Sequence, residues 1–132
     1  MIRMRRARGQ AIVEFALVLP IFLLLVFAIT EFGRIWMIQH VLTTASRSGA
    51  RVGILPSSTT SEVTTAVNNY LTPPKFDPAQ ASISMTNVGV SAPSGAVTSV
   101  TVAYSYQVLS GSLIPQLQGT LMLTSTTQMR HE

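Results

Sequence analysis

The sequence is dominated by one apolar stretch near its N-terminus, residues 11–30, in which Glu14 is the only charged side chain. Twenty residues of helix extend about 30 Å, which matches the hydrocarbon core of a bilayer. Four arginines stand ahead of the stretch: Arg3, Arg5, Arg6 and Arg8. Because basic residues accumulate on the cytoplasmic side of a span, this arrangement predicts one membrane helix with its N-terminus in the cytoplasm and the remaining chain outside.

A secretory signal peptide is the alternative for this stretch. Signal peptides have an apolar core of about 7–15 residues, followed by a cleavage site of small residues. Here the uncharged run covers residues 15–30, and the segment EFGR at 31–34 follows it without an Ala-x-Ala pattern. The sequence therefore favours a basic cytoplasmic leader at 1–9 and a transmembrane helix at 10–30.

The net charge of +4 belongs to the leader. From Gly9 onward, five basic and five acidic side chains cancel. Without a basic face in the rest of the chain, nucleic acid is not an expected partner. Only 11% of the residues are charged, under half the usual share of about 25% in soluble proteins, which argues against a cytosolic enzyme.

The residues around Glu14 form a motif. A carboxylate in a membrane span costs about 2.5–3.5 kcal/mol at the bilayer centre, less near the interface, and usually marks a function. The segment RGQAIVEF at 8–15 resembles the processing site of type IV prepilins of the tight-adherence (Tad) class. Its continuation to Pro20, with EFGR at 31–34 and TASRSGAR at 44–51, resembles the TadE-like minor pseudopilins over about a third of the chain.

This resemblance implies a processing step and an assembly step. A membrane prepilin peptidase would cut after Gly9 on the cytoplasmic side, which makes Gln10 the new N-terminus and removes the arginine leader. Glu14, followed by Phe15, would then pair with the α-amino group of a neighbouring subunit, which offsets the burial of both charges. The implied location is the bacterial inner membrane, with a single pass and with incorporation into a surface pilus left open.

The resemblance also implies partners. They are the prepilin peptidase, the major pilin, a sister pseudopilin and the inner-membrane assembly platform, together with membrane lipid. The major pilin of this class is usually much shorter and has no appended domain, so the long C-terminal tail favours a minor subunit.

Pro20 lies inside the predicted span. Its nitrogen cannot donate a hydrogen bond to the carbonyl of Ala16, so we expect a kink or a local loosening of the helix. A kink without function and a role in subunit packing or extraction are both compatible with the sequence.

The helical pattern continues beyond the membrane through residues 31–55. Apolar or small side chains recur there at intervals of three and four, as on one face of a helix. We call this row the seam: Ile35, Ile38, Leu42, Ala45, Gly49 and Val52. The seam could pack on the chain's own C-terminal domain or on another subunit. Arg47 and Arg51 are expected to form a solvated edge, and Gly53 and Pro56 end the helix.

Residues 56–132 have a different composition, with 24 Ser or Thr among 77 residues and only five charges. Thr59 and Glu62 predict a capping box for a short amphipathic helix that Pro73 and Pro74 stop. Beyond it, alternation of period two predicts strands at 83–90, 100–108 and 121–126, with a bulge or bend near Asn87. The expected fold class is α+β and pilin-like: a long N-terminal helix, half transmembrane and half extracytoplasmic, packed on a small antiparallel sheet.

The sequence carries no catalytic motif. Cys is absent, His40 and His131 are far apart, and neither paired carboxylates nor a glycine-rich phosphate loop is visible. We therefore expect no enzymatic activity, metal, cofactor or small-molecule substrate. Besides the pseudopilin hypothesis, one alternative stays open: an uncleaved, signal-anchored envelope protein whose C-terminal domain is a binding module.

Overall fold

The computed structural model describes residues 3–72, 76–89, 92–108 and 119–131. Helix α1 spans Arg3–Gly53 and helix α2 spans Thr60–Leu71. A short 3-10 helix, Pro78–Gln80, precedes three strands, β1 (Ala81–Thr86), β2 (Val97–Gln107) and β3 (Thr120–Arg130). The predicted α+β class and its pilin-like layout, a long N-terminal helix with a small antiparallel sheet, are confirmed.

The chain divides into two compact units, Met1–Arg34 and Ile35–Glu132. Helix α1 contributes to both, and its residues from Ile35 to Gly53 belong to the unit that holds the sheet. In the first unit every side chain from Gly9 to Thr30 is exposed. Helix α1 continues through Pro20, the only proline within it.

The sheet of the second unit is an antiparallel meander in the order β1-β2-β3. In its register Ile83 lies opposite Val102, and Val102 lies opposite Ser125. The central strand β2 alternates as predicted. Its buried apolar side chains are Val100, Val102, Tyr104 and Tyr106.

All three strands have other boundaries than predicted, and the largest differences lie at the end of β1 and the end of β3. Strand β1 ends at Thr86 because Asn87 has a φ of 55°, a left-handed conformation that interrupts pairing. The amide of Asn87 then donates to the carbonyl of Val97 at 3.0 Å, and Val90 lies outside the described residues. Strand β3 continues to Arg130 because β2 begins at Val97, and residues 97–100 of β2 pair with residues 127–130 of β3.

The core of the second unit lies between α1, α2 and the sheet. The seam supplies the α1 side of this core: Leu42 and Ala45 are fully buried, Ile38 and Gly49 are buried, and Ile35 and Val52 are half-buried. Helix α2 and strand β2 supply the opposing apolar side chains: Val63, Val67, Leu71, Val100, Val102, Tyr104 and Tyr106. Phe76 packs edge-to-face on Tyr104, with ring centroids 5.0 Å apart.

The N-terminus of α2 confirms the predicted capping box. The backbone N–H of Glu62 donates to Thr59 Oγ1 at 3.3 Å, and the backbone N–H of Thr59 donates to Glu62 Oε2 at 2.8 Å. This exchange satisfies two N–H groups that a helix start would otherwise leave unpaired. Pro73 and Pro74, the predicted stop, lie outside the described residues.

Candidate functional site

The bond between Gly9 and Gln10 lies within helix α1, which begins at Arg3. A Cβ added at Gly9 would meet no other atom within 4 Å, so packing in this chain does not require a glycine there. Glycine inside a helix costs about 0.5–1 kcal/mol relative to alanine. The helix is therefore intrinsically weak at the bond where processing is predicted.

Glu14 lies one helical turn after Gln10. The Gln10 amide donates to Glu14 Oε1 at 3.1 Å, and both side chains are exposed. Within the part of the chain that the structure describes, this amide is the only hydrogen-bonding or ionic partner of Glu14. Its carboxylate charge thus has no internal counter-ion among those residues and can accept a cation from another molecule.

An apolar surface surrounds these polar groups on every side of the helix. Phe15 is 65% exposed, and the large apolar side chains up to Ile29 are exposed as well. The helix is long and apolar enough to cross a membrane. A continuous apolar surface of this extent is stable only against lipid or against other proteins.

Comparison with known families adds the deciding observation. The family model described as "TadE-like protein" matches residues 9–51. Residues 9–51 are TadE-like. No curated protein and no solved structure matches the chain.

The TadE-like segment begins at Gly9 and confirms the resemblance that the sequence motifs predicted. It contains the proposed processing and assembly residues: Gly9, Gln10, Glu14, Phe15 and Pro20. It also contains every seam residue except Val52. In the second unit those seam residues pack on α2 and the sheet.

A cluster of hydroxyl groups joins the TadE-like segment to strand β3, and the sequence analysis missed it. Ser46 Oγ, which is fully buried, lies 3.2 Å from Ser125 Oγ and 2.8 Å from Thr127 Oγ1. Ser125 Oγ also donates to Thr43 Oγ1 at 3.4 Å. The spacing does indicate burial of both residues: Ser46 lies four residues after Leu42 on the same helix face, and Ser125 lies two residues after Leu123 on the same strand face. The apolar pattern alone did not identify these partners.

The two histidines occupy different environments. His40 is exposed on α1, whereas His131, which follows strand β3, is buried. His131 Nε2 lies 3.2 Å from the carbonyl oxygen of Gly53, and since a carbonyl only accepts, Nε2 carries the proton. Across the described ranges, His, Asp and Glu side chains form no group of three that could hold a metal ion.

Proposed function

We propose that this chain is a minor prepilin-like subunit, a pseudopilin, that is processed by a prepilin peptidase after Gly9 and takes part in building a Tad-type adhesion pilus. One combination supports this function. The TadE-like match begins at the predicted cleavage site, and five residues later an exposed carboxylate stands in the apolar surface of a membrane-length helix. The match supports involvement in a Tad pilus, and the processing step and the specific role are the proposal.

The processing step is hydrolysis of the peptide bond between Gly9 and Gln10. Water adds across that bond, so Gly9 gains a carboxylate and Gln10 gains a free α-amino group. The released leader carries four arginines, whereas the remaining chain has equal numbers of basic and acidic side chains. Removing the leader therefore eliminates the charge that holds the N-terminus at the cytoplasmic surface.

The assembly step uses Glu14. The new amine at Gln10 lies about 6 Å along the helix axis from Glu14, because four residues rise 1.5 Å each. A Glu side chain spans one turn of helix, as the Gln10–Glu14 hydrogen bond shows, so this spacing alone does not select the partner of the Glu14 carboxylate. The proposal assigns that role to the amine of an adjacent subunit, which the exposed position of Glu14 allows. Away from bulk water, each charge of such a pair offsets the cost of burying the other.

The proposal extends to orientation and partners. The N-terminus lies in the cytoplasm, residues 10–30 cross the inner membrane, and the C-terminal domain lies outside. The partners are the prepilin peptidase, the assembly platform, the major pilin and a sister pseudopilin. In this account the chain is the substrate of an enzyme and has no enzymatic activity of its own.

Replacement of Glu14 by Gln tests the assembly step. We expect Glu14→Gln to insert and to lose its leader, but to fail in assembly, so that surface pili sheared from the host are strongly reduced. Asp77→Asn is the matched control, because it removes one exposed carboxylate charge outside the TadE-like segment. Normal piliation with Glu14→Gln would contradict the proposal and favour an uncleaved anchor that carries a binding module.

A further inference from the structure

A second polar site lies in the second unit, between α1 and α2. Five residues line an open cavity of about 220 Å³: Thr44, Arg47, Ser48 and Arg51 from α1, and Tyr70 from α2. We call this cavity the arginine notch. Both arginines are exposed, and Tyr70 is 46% exposed.

Every polar side chain that lines the notch can donate a hydrogen bond. In the described part of the chain, the side chains of Arg47, Arg51, Ser48 and Tyr70 have no hydrogen-bonding or ionic partner. The hydroxyl of Thr44 already donates to the carbonyl of His40 at 3.0 Å. Two guanidinium groups and two hydroxyl groups are thus available to one ligand, and guanidinium can only donate.

No acidic side chain lies among the described residues that line the notch. The acidic side chains described in the second unit have other partners: Glu62 accepts the capping bonds of Thr59, and Asp77 accepts from the backbone N–H of Ala79. Arg51 is in the last turn of α1, where the helix dipole favours a cation. The dipole does not account for Arg47, a like charge one turn earlier that repels Arg51.

We propose that the arginine notch binds the carboxylate of an acidic side chain from a partner protein. Paired guanidinium groups match the two oxygens of a carboxylate. A small free ligand is disfavoured, since such sites usually enclose about 300–1,000 Å³. Guanidinium groups also bind phosphate, but the described lining offers it no backbone N–H groups from a helix N-terminus or a glycine-rich loop, so a carboxylate is the ligand that we assign.

This inference goes beyond the proposed function, because it concerns the second unit and requires neither cleavage nor a membrane orientation. Its test uses the full-length chain in neutral phosphatidylcholine nanodiscs. The NMR signals of the arginine side-chain N–H groups are followed during titration with a short Gly/Ser peptide that contains one Glu. A peptide with Gln in place of that Glu, at equal ionic strength, is the matched ligand.

We expect a saturable shift of the Arg47 and Arg51 signals with the Glu peptide and none with the Gln peptide. Arg47→Gln should weaken binding about two- to fivefold, the usual range for one exposed charge pair. Arg47→Lys should also weaken binding, because Lys keeps the charge but lacks the planar guanidinium group that donates two parallel hydrogen bonds to a carboxylate. Arg130→Gln, which removes an exposed arginine of the same unit, should leave binding unchanged.

Three results would overturn the inference. One is an equal response to the Glu and Gln peptides, and another is an equal response at Arg130. The third is a response to inorganic phosphate or to phosphatidylglycerol nanodiscs without a response to the Glu peptide. A response to inorganic phosphate would identify the notch as a site for free phosphate, and a response to phosphatidylglycerol nanodiscs would identify it as a site for a lipid headgroup.

Discussion

Helix α1 contains two regions that differ in how their apolar side chains are distributed and in whether those side chains are buried. From residue 11 to residue 29 its side chains are apolar on all sides apart from Glu14, and every one of them is exposed. From residue 35 to residue 53 the apolar side chains follow one narrow row, and that row is buried in the core of the second unit. The same secondary structure therefore serves two different kinds of contact.

The difference shows what the two patterns of apolar residues mean. A helix that is apolar on all sides needs an apolar environment in every direction, as lipid or surrounding subunits provide. A helix with one apolar row needs a single packing partner, and α2 and the sheet supply it within the chain. The TadE-like match covers the first region and most of the second, but not the sheet.

The largest expected effect is the loss of stability when a leucine of the buried row is truncated, compared with a leucine of the exposed region. We expect Leu42→Ala to reduce the free energy of unfolding of the second unit by about 2–5 kcal/mol, because Leu42 is fully buried. Leu24→Ala, at a side chain that is 51% exposed, should change it by less than about 0.5 kcal/mol. Chemical denaturation in detergent, followed by the near-ultraviolet circular dichroism of the buried tyrosines, measures both. Equal losses would remove the distinction between the two regions.

Substitution by alanine should destabilise the second unit at one glycine, Gly49, and leave it unchanged at another, Gly33. A Cβ at Gly49 would lie 2.7 Å from Val67 Cγ2 and 3.1 Å from Val100 Cγ1, and valine side chains are stiff. Gly49→Ala should therefore destabilise the second unit by about 1–3 kcal/mol despite the better helix propensity of alanine. Gly33→Ala meets nothing within 4 Å. Gly33→Ala should leave the unfolding free energy of the second unit unchanged and slightly increase helix content. Stabilisation of the second unit by Gly49→Ala would contradict the close contact of Gly49 with Val67 and Val100.

A smaller effect is expected at the hydroxyl cluster. Ser46→Ala removes the buried partner of Ser125 and Thr127, and should cost about 1–2 kcal/mol of unfolding free energy. Ser48→Ala is the matched control, since the Ser48 hydroxyl has no partner in the described residues. Thermal unfolding of the two variants compares them directly. A difference of less than about 0.5 kcal/mol would mean that the cluster does not join α1 to β3 energetically.

Much of the fold follows from periodicity in the sequence. The seam at intervals of three and four, the alternation of Val100 to Tyr106, and the capping box of Thr59 and Glu62 all correspond to observed elements. These features are local, and each depends on spacings that the sequence displays. The motif around Gly9 and Glu14, which the TadE-like match includes, is local in the same way.

The remaining features depend on contacts between distant residues. The partners of Ser46 lie 79 and 81 residues away, and the partner of the buried His131 ring lies 78 residues away. The arginine notch exists because α2 places Tyr70 beside Arg47 and Arg51. Strand β1 ends early because one residue, Asn87, adopts a left-handed conformation. Composition and spacing do not specify any of these arrangements.

The measurement that most directly tests the proposed function is the intact mass and N-terminal sequence of the chain from host membranes, with and without the prepilin peptidase. The account predicts a chain that begins at Gln10 when the peptidase is present and one that retains the four arginines when it is absent. Retention of the leader in both samples would contradict processing after Gly9. The chain would then be an uncleaved anchor, and its function would have to be sought in the second unit.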